Sequence, residues 1–163
     1  MTPEQLAESV RQKFPNVVTA ACVTAGSATV TVKKQGVKGF CSSLRSDPAF
    51  SFNILMDLFA VDYKEWEEKD ARFEVVYNLF SLKHNHRLFV KAAVTEEDSA
   101  VDSVVPIWPA ANWFEREVWD LMGVRFNGHP DLRRLLMYEG FEGHPLRKDY
   151  PVNKRQPLVG PLN

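Results

Sequence analysis

Apolar side chains near the amino terminus recur at the spacing of an amphipathic helix. Leu6, Val10 and Phe14 fall on one helical face. The preceding residues 2–5 (TPEQ) have the form of a capping box with proline at the first helical position. Because proline cannot continue a helix, the pattern predicts a short first helix that stops at Pro15.

The next segments change from strand spacing back to helix spacing. Apolar and polar positions alternate within residues 17–32, and a break at residues 25–27 divides them into a predicted pair of strands. Helical spacing then returns before Asp47 and predicts a second helix. The apolar stripe of this helix consists of Val37, Phe40, Cys41 and Leu44.

Three further strands are predicted in the middle of the chain, at residues 52–61, 73–82 and 87–94. The last two form a hairpin in which Asn85 takes the left-handed conformation that the turn needs. The acidic connection 64–70 is interpreted as a solvated loop. Helices beside a mainly antiparallel sheet make an α+β two-layer sandwich, which we expect to occupy residues 1–123.

A third helix, Trp113–Met122, closes this predicted domain, with Asn112 as N-cap, Glu115 at N3 and Gly123 as its stop. A helical wheel separates a packing arc from a charged arc next to an indole. The packing arc is Phe114, Val118, Leu121 and Met122, and the charged arc is Trp113, Arg116, Glu117 and Asp120.

The predicted tail, residues 124–163, is largely irregular and extended. Proline and glycine interrupt it repeatedly, and only residues 132–138 have the look of a helix. It also carries aromatic and aliphatic side chains, which is atypical of a free disordered end. We therefore expect the tail to lie on its own domain or to bind a partner.

Composition excludes several classes of protein. The chain has 20 Lys and Arg against 21 Asp and Glu, so a net charge of −1 gives no general attraction to nucleic acid. No apolar run approaches the ~20 residues that span a bilayer, and the amino terminus resembles neither a signal nor a transit peptide. Cys22 and Cys41 cannot build an iron–sulfur or structural zinc site, and we interpret both as reduced, buried thiols.

Catalytic or metal-binding arrangements are weakly supported. His84 and His86 flank one turn residue without a carboxylate in fixed register. The third helix and the residues after it bring together Glu115, Glu117, Asp120, His129 and Asp131. They contain no HExxH motif, and Arg116 with Asp120 is predicted to be an i,i+4 salt bridge. A stand-alone metal-dependent hydrolase is thus a remote alternative, and no nucleotide motif assigns a cofactor to this chain.

Three motifs carry a resemblance to a known family. They are residues 115–123 (EREVWDLMG), 128–134 (GHPDLRR) and 140–151 (GFEGHPLRKDYP). With them, the chain resembles the thirty-kilodalton subunit, or C subunit, of proton-translocating NADH:quinone oxidoreductase, respiratory complex I. The family signature falls on Glu115, Arg116, Glu117, Asp120, Gly123, Phe126, His129, Asp131, Arg133, Arg134, Gly143, His144, Pro145, Leu146, Arg147, Asp149, Tyr150 and Pro151.

The resemblance implies a non-catalytic docking subunit in a complex that uses NADH, FMN, Fe–S clusters and quinone, with none of these cofactors in this chain. It implies as partners the quinone-site subunit, which is of the forty-nine-kilodalton type, and the terminal Fe–S subunit. It places the chain peripherally on the cytoplasmic side of the bacterial inner membrane, with the signature residues at a subunit interface. The alternative is the equivalent subunit of a ferredoxin- or hydrogenase-linked relative of complex I.

Overall fold

Eleven elements follow one another in the structure, a computed structural model that describes residues 1–156. Residues 157–163, the last part of the predicted tail, lie outside the described residues. The elements are α1 Pro3–Lys13, β1 Val18–Thr24, β2 Ser27–Val32, a 3-10 turn Lys34–Gly36, α2 Val37–Ser46, β3 Ile54–Asp62, β4 Phe73–Ser81, β5 His86–Val94, β6 Ala100–Asp102, α3 Ala111–Met122 and β7 Arg125–Asn127.

Five strands form one sheet in the order β1-β2-β5-β4-β3. Every neighbouring pair is antiparallel except β2 and β5, which run parallel. A mainly antiparallel sheet with helices confirms the predicted α+β class. The short parallel pair of β6 and β7 was not predicted, because three residues are too few to establish an alternating pattern.

One core holds the sheet and the helices together. Leu6 and Val10 of α1, Leu44 of α2 and Val118 of α3 are buried in a cluster with the inward-facing side chains of the sheet, such as Val90 of β5. In a strand, alternate side chains point to opposite faces. The helices therefore cover one face of the sheet, and the large apolar area removed from water there stabilises the fold.

Two local predictions are confirmed by backbone geometry. The Thr2 hydroxyl accepts a hydrogen bond from the Gln5 N–H at 3.3 Å, and the Gln5 side chain accepts one from the Thr2 N–H at 3.0 Å. This is the capping box that the sequence predicts. Asn85 turns the β4–β5 hairpin with a φ of 49°, in the left-handed region that asparagine tolerates.

Three local predictions are wrong. Helix α3 begins at Ala111 and its N-cap is Ala110, without a side-chain cap, so Asn112 is not the cap. Residues 132–138 are not helical, because three of their backbone N–H groups donate to a carboxylate of α3. Cys22 is exposed because it lies on the edge strand β1, whereas Cys41 is buried as expected.

The part of the chain from residue 1 to 156 contains no helix that is long and apolar enough to cross a bilayer.

Glu115 is a fully buried carboxyl that helps to fix α3 to the segment before it. Its Oε1 accepts a hydrogen bond from the Val104 N–H at 2.7 Å, while its Oε2 has no hydrogen-bond partner among the described residues. Burial raises the pKa of Glu115 from 4.5 to about 7, against the opposing effect of bonds from Ser103 and Val104. The sequence predicts this carboxyl in the first turn of the helix, and the fold places it in the core.

We expect Glu115→Gln to change how stability depends on pH. In the wild-type chain, the neutral carboxyl contributes stability that is complete below pH 4.5 and is lost as the pH rises through the folded-state pKa of about 7. Glutamine stays neutral throughout. The free energy of unfolding of the variant, relative to that of wild type, should therefore rise by roughly 3 kcal/mol between about pH 4 and about pH 8.

Urea denaturation at a series of pH values measures this difference. Glu117→Gln, on the exposed side of the same helix, is the matched control and should leave the pH profile unchanged. Parallel stability curves for wild type and Glu115→Gln would contradict the assignment of a raised pKa.

Candidate functional site

The carboxyl-terminal end of α3 is shaped to receive the chain that follows it. Gly123 ends the helix with a φ of 76°, and its N–H donates to the Trp119 carbonyl at 2.9 Å. A Cβ at Gly123 would lie 2.6 Å from the His144 ring and would also meet the Arg147 guanidinium. Glycine is therefore required both by the left-handed turn and by the close approach of the tail.

Asp120 is the central anchor of this site. Its buried Oδ2 accepts hydrogen bonds from the backbone N–H groups of Leu135, Leu136 and Met137 at 2.9, 2.8 and 2.9 Å. Its Oδ1 accepts one from Arg134 at 2.7 Å. Burial acts to raise the pKa of Asp120, but these hydrogen bonds outweigh it and hold the pKa below its usual value.

Two arginines complete the attachment by donating to backbone carbonyls of the tail. Arg134 donates to the carbonyls of Phe141 and Gly143 at 2.8 and 3.1 Å. Arg116 donates to the carbonyls of Arg133 and Arg134 at 3.2 and 3.1 Å. The predicted Arg116–Asp120 salt bridge is therefore wrong, since the ion-pair partner of Asp120 is Arg134. On the charged arc of the helical wheel, the tail thus covers Arg116 and Asp120, whereas Trp113 and Glu117 stay exposed.

The second signature block binds the last turn of α3. The Leu146 N–H donates to the Leu121 carbonyl at 3.0 Å, and Arg147 Nε donates to the Met122 carbonyl at 2.6 Å. His144 Nδ1 lies 3.0 Å from the Asp120 carbonyl. Burial lowers the pKa of His144, so the imidazole is held as a neutral hydrogen-bond donor to that carbonyl. Carbonyls that a helix end leaves without partners are thus satisfied by the tail.

An ion-pair cluster around the buried Arg72 fixes the tail at a second point. Arg72 binds Asp62 through two nitrogens at 3.2 and 3.0 Å and Asp149 at 2.6 Å, and it also contacts Glu96. The hydrogen bonds from Arg72 and from Lys64 hold the pKa of Asp149 far below its usual range. Lys64 lies 2.8 Å from the same carboxylate.

Asp62 and Arg72 are functional positions that the sequence did not reveal. They flank the acidic connection 64–70, whose residues are exposed as predicted, but both are buried themselves. One signal could have revealed them. An acid and a base stand at the two ends of a loop that connects the neighbouring strands β3 and β4.

The remaining signature residues serve different purposes. Phe126 is buried in the core on β7, and Glu117 and Pro151 are exposed. His129 lies 3.2 Å from the Asn112 carbonyl and accepts the Asp131 N–H at 3.0 Å. Asp131 forms an ion pair with Arg133 at 2.8 Å. The Tyr150 ring stacks on Phe141, with ring centroids 6.0 Å apart. Pro145 is half-buried.

The structure does not bring the candidate catalytic groups together. Glu115, Asp120 and His129 each bind different backbone groups. The rings of His84 and His86 stack at 5.3 Å, and each ring lies beside a backbone carbonyl. Within residues 1–156, no group of three or more His, Cys, Asp or Glu side chains is placed to hold a metal ion.

The outer side of α3 and the tail carries apolar and basic groups in contact with solvent. Trp113 is 60% exposed with the Arg116 guanidinium 5.1 Å from its ring centroid, and Leu136 is 56% exposed. Next to them, a cavity of about 510 Å³ is lined by Trp119, Leu132, Arg133, Arg134, Met137, Glu139 and Gly140. We name the exposed residues Trp113, Arg133 and Leu136 the outer patch. Tryptophan and arginine are the residue types enriched at the centres of protein interfaces.

Comparisons with known proteins agree on one family. A family model described as the 30 kDa subunit of respiratory-chain NADH dehydrogenase matches residues 30–156. A protein of Rhodobacter capsulatus, named as the C subunit of NADH-quinone oxidoreductase, is 49% identical over 91% of this chain and 73% of its own length. A protein of the same name from Geobacter metallireducens is 47% identical over 94% of both chains.

Solved structures add a likeness of fold. A trypsin-resistant fragment of Nqo5 has a TM-score of 0.67 at 34% identity, over 81% of this chain and 100% of the fragment. A chain of the membrane-bound sulfane sulfur reductase, an archaeal respiratory membrane complex, has a TM-score of 0.74 at 22% identity, over 92% of this chain and 86% of that one. The second similarity concerns the fold alone. From the matched residues and the identity to these relatives, we conclude that the chain belongs to the family of the 30 kDa subunit of respiratory-chain NADH dehydrogenase.

Proposed function

We propose that this chain is a non-catalytic docking subunit in the peripheral arm of a bacterial NADH:quinone oxidoreductase. The single observation that carries the proposal is the use of the signature residues. Asp120, Arg134, His144 and Arg147 bind backbone groups of the same chain and hold the tail against α3. These polar side chains hold the tail in place by hydrogen bonds within the chain. They thereby build an ordered surface, which is what a docking role requires.

The complex would supply the chemistry. It oxidises NADH through FMN and Fe–S clusters, reduces quinone and couples this to proton translocation, and this chain carries none of these cofactors. The partners are the quinone-site subunit and the terminal Fe–S subunit, on the cytoplasmic side of the inner membrane. The names of the relatives favour NADH as the donor over a ferredoxin- or hydrogenase-linked complex.

The geometry supports an ordered docking surface. A flexible segment that folds on binding spends part of its interaction free energy on ordering. Here the segment from residue 129 to 150 is already held by Asp120, by Arg134 and by the cluster around Arg72. The outer patch can therefore be presented in one conformation. We propose that the inner side of the tail binds its own domain and that the outer side binds the quinone-site subunit.

Trp113→Ala tests the outer patch directly. The side chain is mostly exposed, so its loss should leave the thermal midpoint of the isolated chain within about 2 °C of wild type. If Trp113 is an anchor of the interface, the dissociation constant for the quinone-site subunit should rise at least about tenfold. Co-expression followed by size-exclusion chromatography and a titration of the purified subunits measures both the yield of the complex and its affinity.

Trp66→Ala is the matched control for that experiment. Trp66 is 58% exposed against 60% for Trp113, but it lies in the acidic loop between β3 and β4. If the two substitutions changed the dissociation constant equally, the proposed role of the outer patch in binding would be contradicted. A full-length chain that never co-elutes with the quinone-site subunit would contradict the proposed function itself.

Asp120→Asn should release the tail while leaving the sheet folded. The substitution removes the charge that pairs with Arg134 and replaces one acceptor oxygen by an amide donor, next to three N–H groups. Breaking one partner of such a buried pair costs roughly 3 kcal/mol. We expect trypsin to cleave after Arg133 or Arg134 at least about tenfold faster than in wild type, with weaker binding to the partner subunit.

Asp131→Asn is the control, because Asp131 pairs with Arg133 on the exposed side of the same segment. Its cleavage rate and affinity should stay close to those of wild type. Unchanged proteolysis in Asp120→Asn would mean that the tail is held mainly by the cluster around Arg72.

A further inference from the structure

A groove runs between α3 and β3, which is the last strand on its side of the sheet. A cavity of about 170 Å³ lies in this groove. Its lining includes residues 57–60 of β3, then Glu117, Leu121 and Met122 of α3, and Leu146 of the tail. We name these residues the side groove. Three separate segments of the chain thus form its walls.

One end of the side groove is apolar and open to solvent. Leu146 is 54% exposed, although its backbone N–H is fixed to the Leu121 carbonyl at 3.0 Å. Met122 next to Leu121 is half-buried. An apolar cavity of about 150 Å³ can hold a group of the size of benzene. This end of the side groove therefore has room for one aliphatic or aromatic side chain.

The other end of the side groove carries two acids on opposite walls, Asp57 on β3 and Glu117 on α3. Asp57 accepts the Leu58 N–H at 2.8 Å, and Glu117 is exposed. Neither forms an ion pair within residues 1–156. Walls of one charge sign concentrate the potential in a cleft and attract the opposite charge. The two acids therefore favour a lysine or an arginine as their partner.

The acidic and the apolar end lie one helical turn apart. Glu117 precedes Leu121 by four residues, which is about 6 Å along the axis of α3. Leu146 lies at the level of Leu121, because its N–H donates to the Leu121 carbonyl. On the opposite wall, the tail binds the last residue of β3, so Asp57, five residues earlier, stands away from the tail. Both walls thus run from acidic to apolar in the same direction.

We propose that the side groove receives a short segment of the quinone-site subunit that carries a lysine or arginine beside an apolar side chain. The cation lies between Asp57 and Glu117, and the apolar side chain fills the cavity next to Leu146. This inference rests on the proposed function, because it adds a second contact region for the same partner. Trp113 and Glu117 are exposed and four residues apart, on neighbouring turns of one side of α3, so the side groove adjoins the outer patch.

The spacing within the side groove defines the partner segment further. In an extended segment, the side chains of residues i and i+2 point to the same side, about 7 Å apart. This spacing matches the helical turn of about 6 Å that separates Glu117 from Leu121. We therefore expect an extended segment in which the cation stands two residues from the apolar side chain.

Charge complementarity selects this occupant over other segments. The two carboxylates would repel an acidic segment. A wholly apolar segment would remove both carboxylates from water without a countercharge, which costs free energy. The side groove is too small for a specific interface by itself, since such interfaces bury at least about 1,000 Å². We therefore expect it to act together with the outer patch.

Glu117→Lys tests the acidic end. Because the side chain is exposed, the thermal midpoint of the variant should stay within about 2 °C of wild type. The dissociation constant for the purified quinone-site subunit should rise at least about tenfold, and the rise should be smaller at about 500 mM NaCl than at about 50 mM, because salt screens charge. Glu97→Lys makes the same change of net charge at an exposed position between β5 and β6, and it should not alter the dissociation constant.

Leu146→Asp tests the apolar end and should also raise the dissociation constant at least about tenfold, since a carboxylate would enter the apolar cavity. Leu82→Asp is the matched control, because Leu82 is 62% exposed against 54% for Leu146 but lies at the end of β4. The rate of trypsin cleavage after Arg133 or Arg134 shows whether the tail stays attached. It should be the same in Leu146→Asp as in wild type, because only the backbone of Leu146 is used for the attachment.

Photo-cross-linking in the assembled complex identifies the occupant. The photoreactive amino acid p-benzoylphenylalanine in place of Leu146 should form a covalent bond to the quinone-site subunit on irradiation. Mass spectrometry of the digested product locates the bond. The cross-linked segment should contain a lysine or arginine two residues from an apolar residue.

The outcomes separate this inference from the proposed function. A full-length chain that never binds the quinone-site subunit overturns both. Binding that is weakened by Trp113→Ala but unchanged by Glu117→Lys and Leu146→Asp overturns this inference alone. So does a complex that forms without a cross-link at position 146, or a cross-link to a second copy, to another subunit or to a segment without a cation. Binding that depends on the side groove but not on Trp113 supports this inference and contradicts the role of the outer patch.

Discussion

The carboxylate of Asp120 is the constraint on which the shape of the carboxyl-terminal third depends. A buried charge is tolerated only when hydrogen bonds and a countercharge surround it, and here three consecutive N–H groups and Arg134 provide them. Those N–H groups would otherwise belong to a helix or face water. One side chain on α3 thus fixes the backbone path of residues 134–137, and the cluster around Arg72 fixes the tail again at Asp149.

Much of the domain could be predicted because its signals are local. The capping box at Thr2, the left-handed Asn85 and the stripes of α1 and α2 each depend on residues a few positions apart. In other segments, tertiary contacts determine the structure in place of the local sequence preference. The segment 132–138 has helical spacing, yet it gives three N–H groups to Asp120, and β6 pairs with β7, from which it is separated in the chain by α3.

The motifs in the sequence located the candidate site, but they did not predict which residues contact one another within it. The sequence placed Arg116 and Asp120 on the charged arc of the helix and Glu115 at its N3 position. All three are buried, because the tail and the segment before α3 cover them. Asp62 and Arg72 were not recognised, because the tail residues that they contact, Lys148 and Asp149, are far away in the sequence. Contacts between distant segments have no periodicity, and a single sequence cannot reveal them.

The junction at Gly123 has a consequence for biosynthesis. The carbonyls of Leu121 and Met122 accept bonds from Leu146 and Arg147 only when α3 ends at this glycine and already lies on the sheet. Because translation delivers the tail last, its attachment points exist only on a chain whose amino-terminal part has finished folding. In the function that we propose, the outer patch is therefore formed only on folded copies, and a complex that bound this patch would select folded copies over unfolded ones.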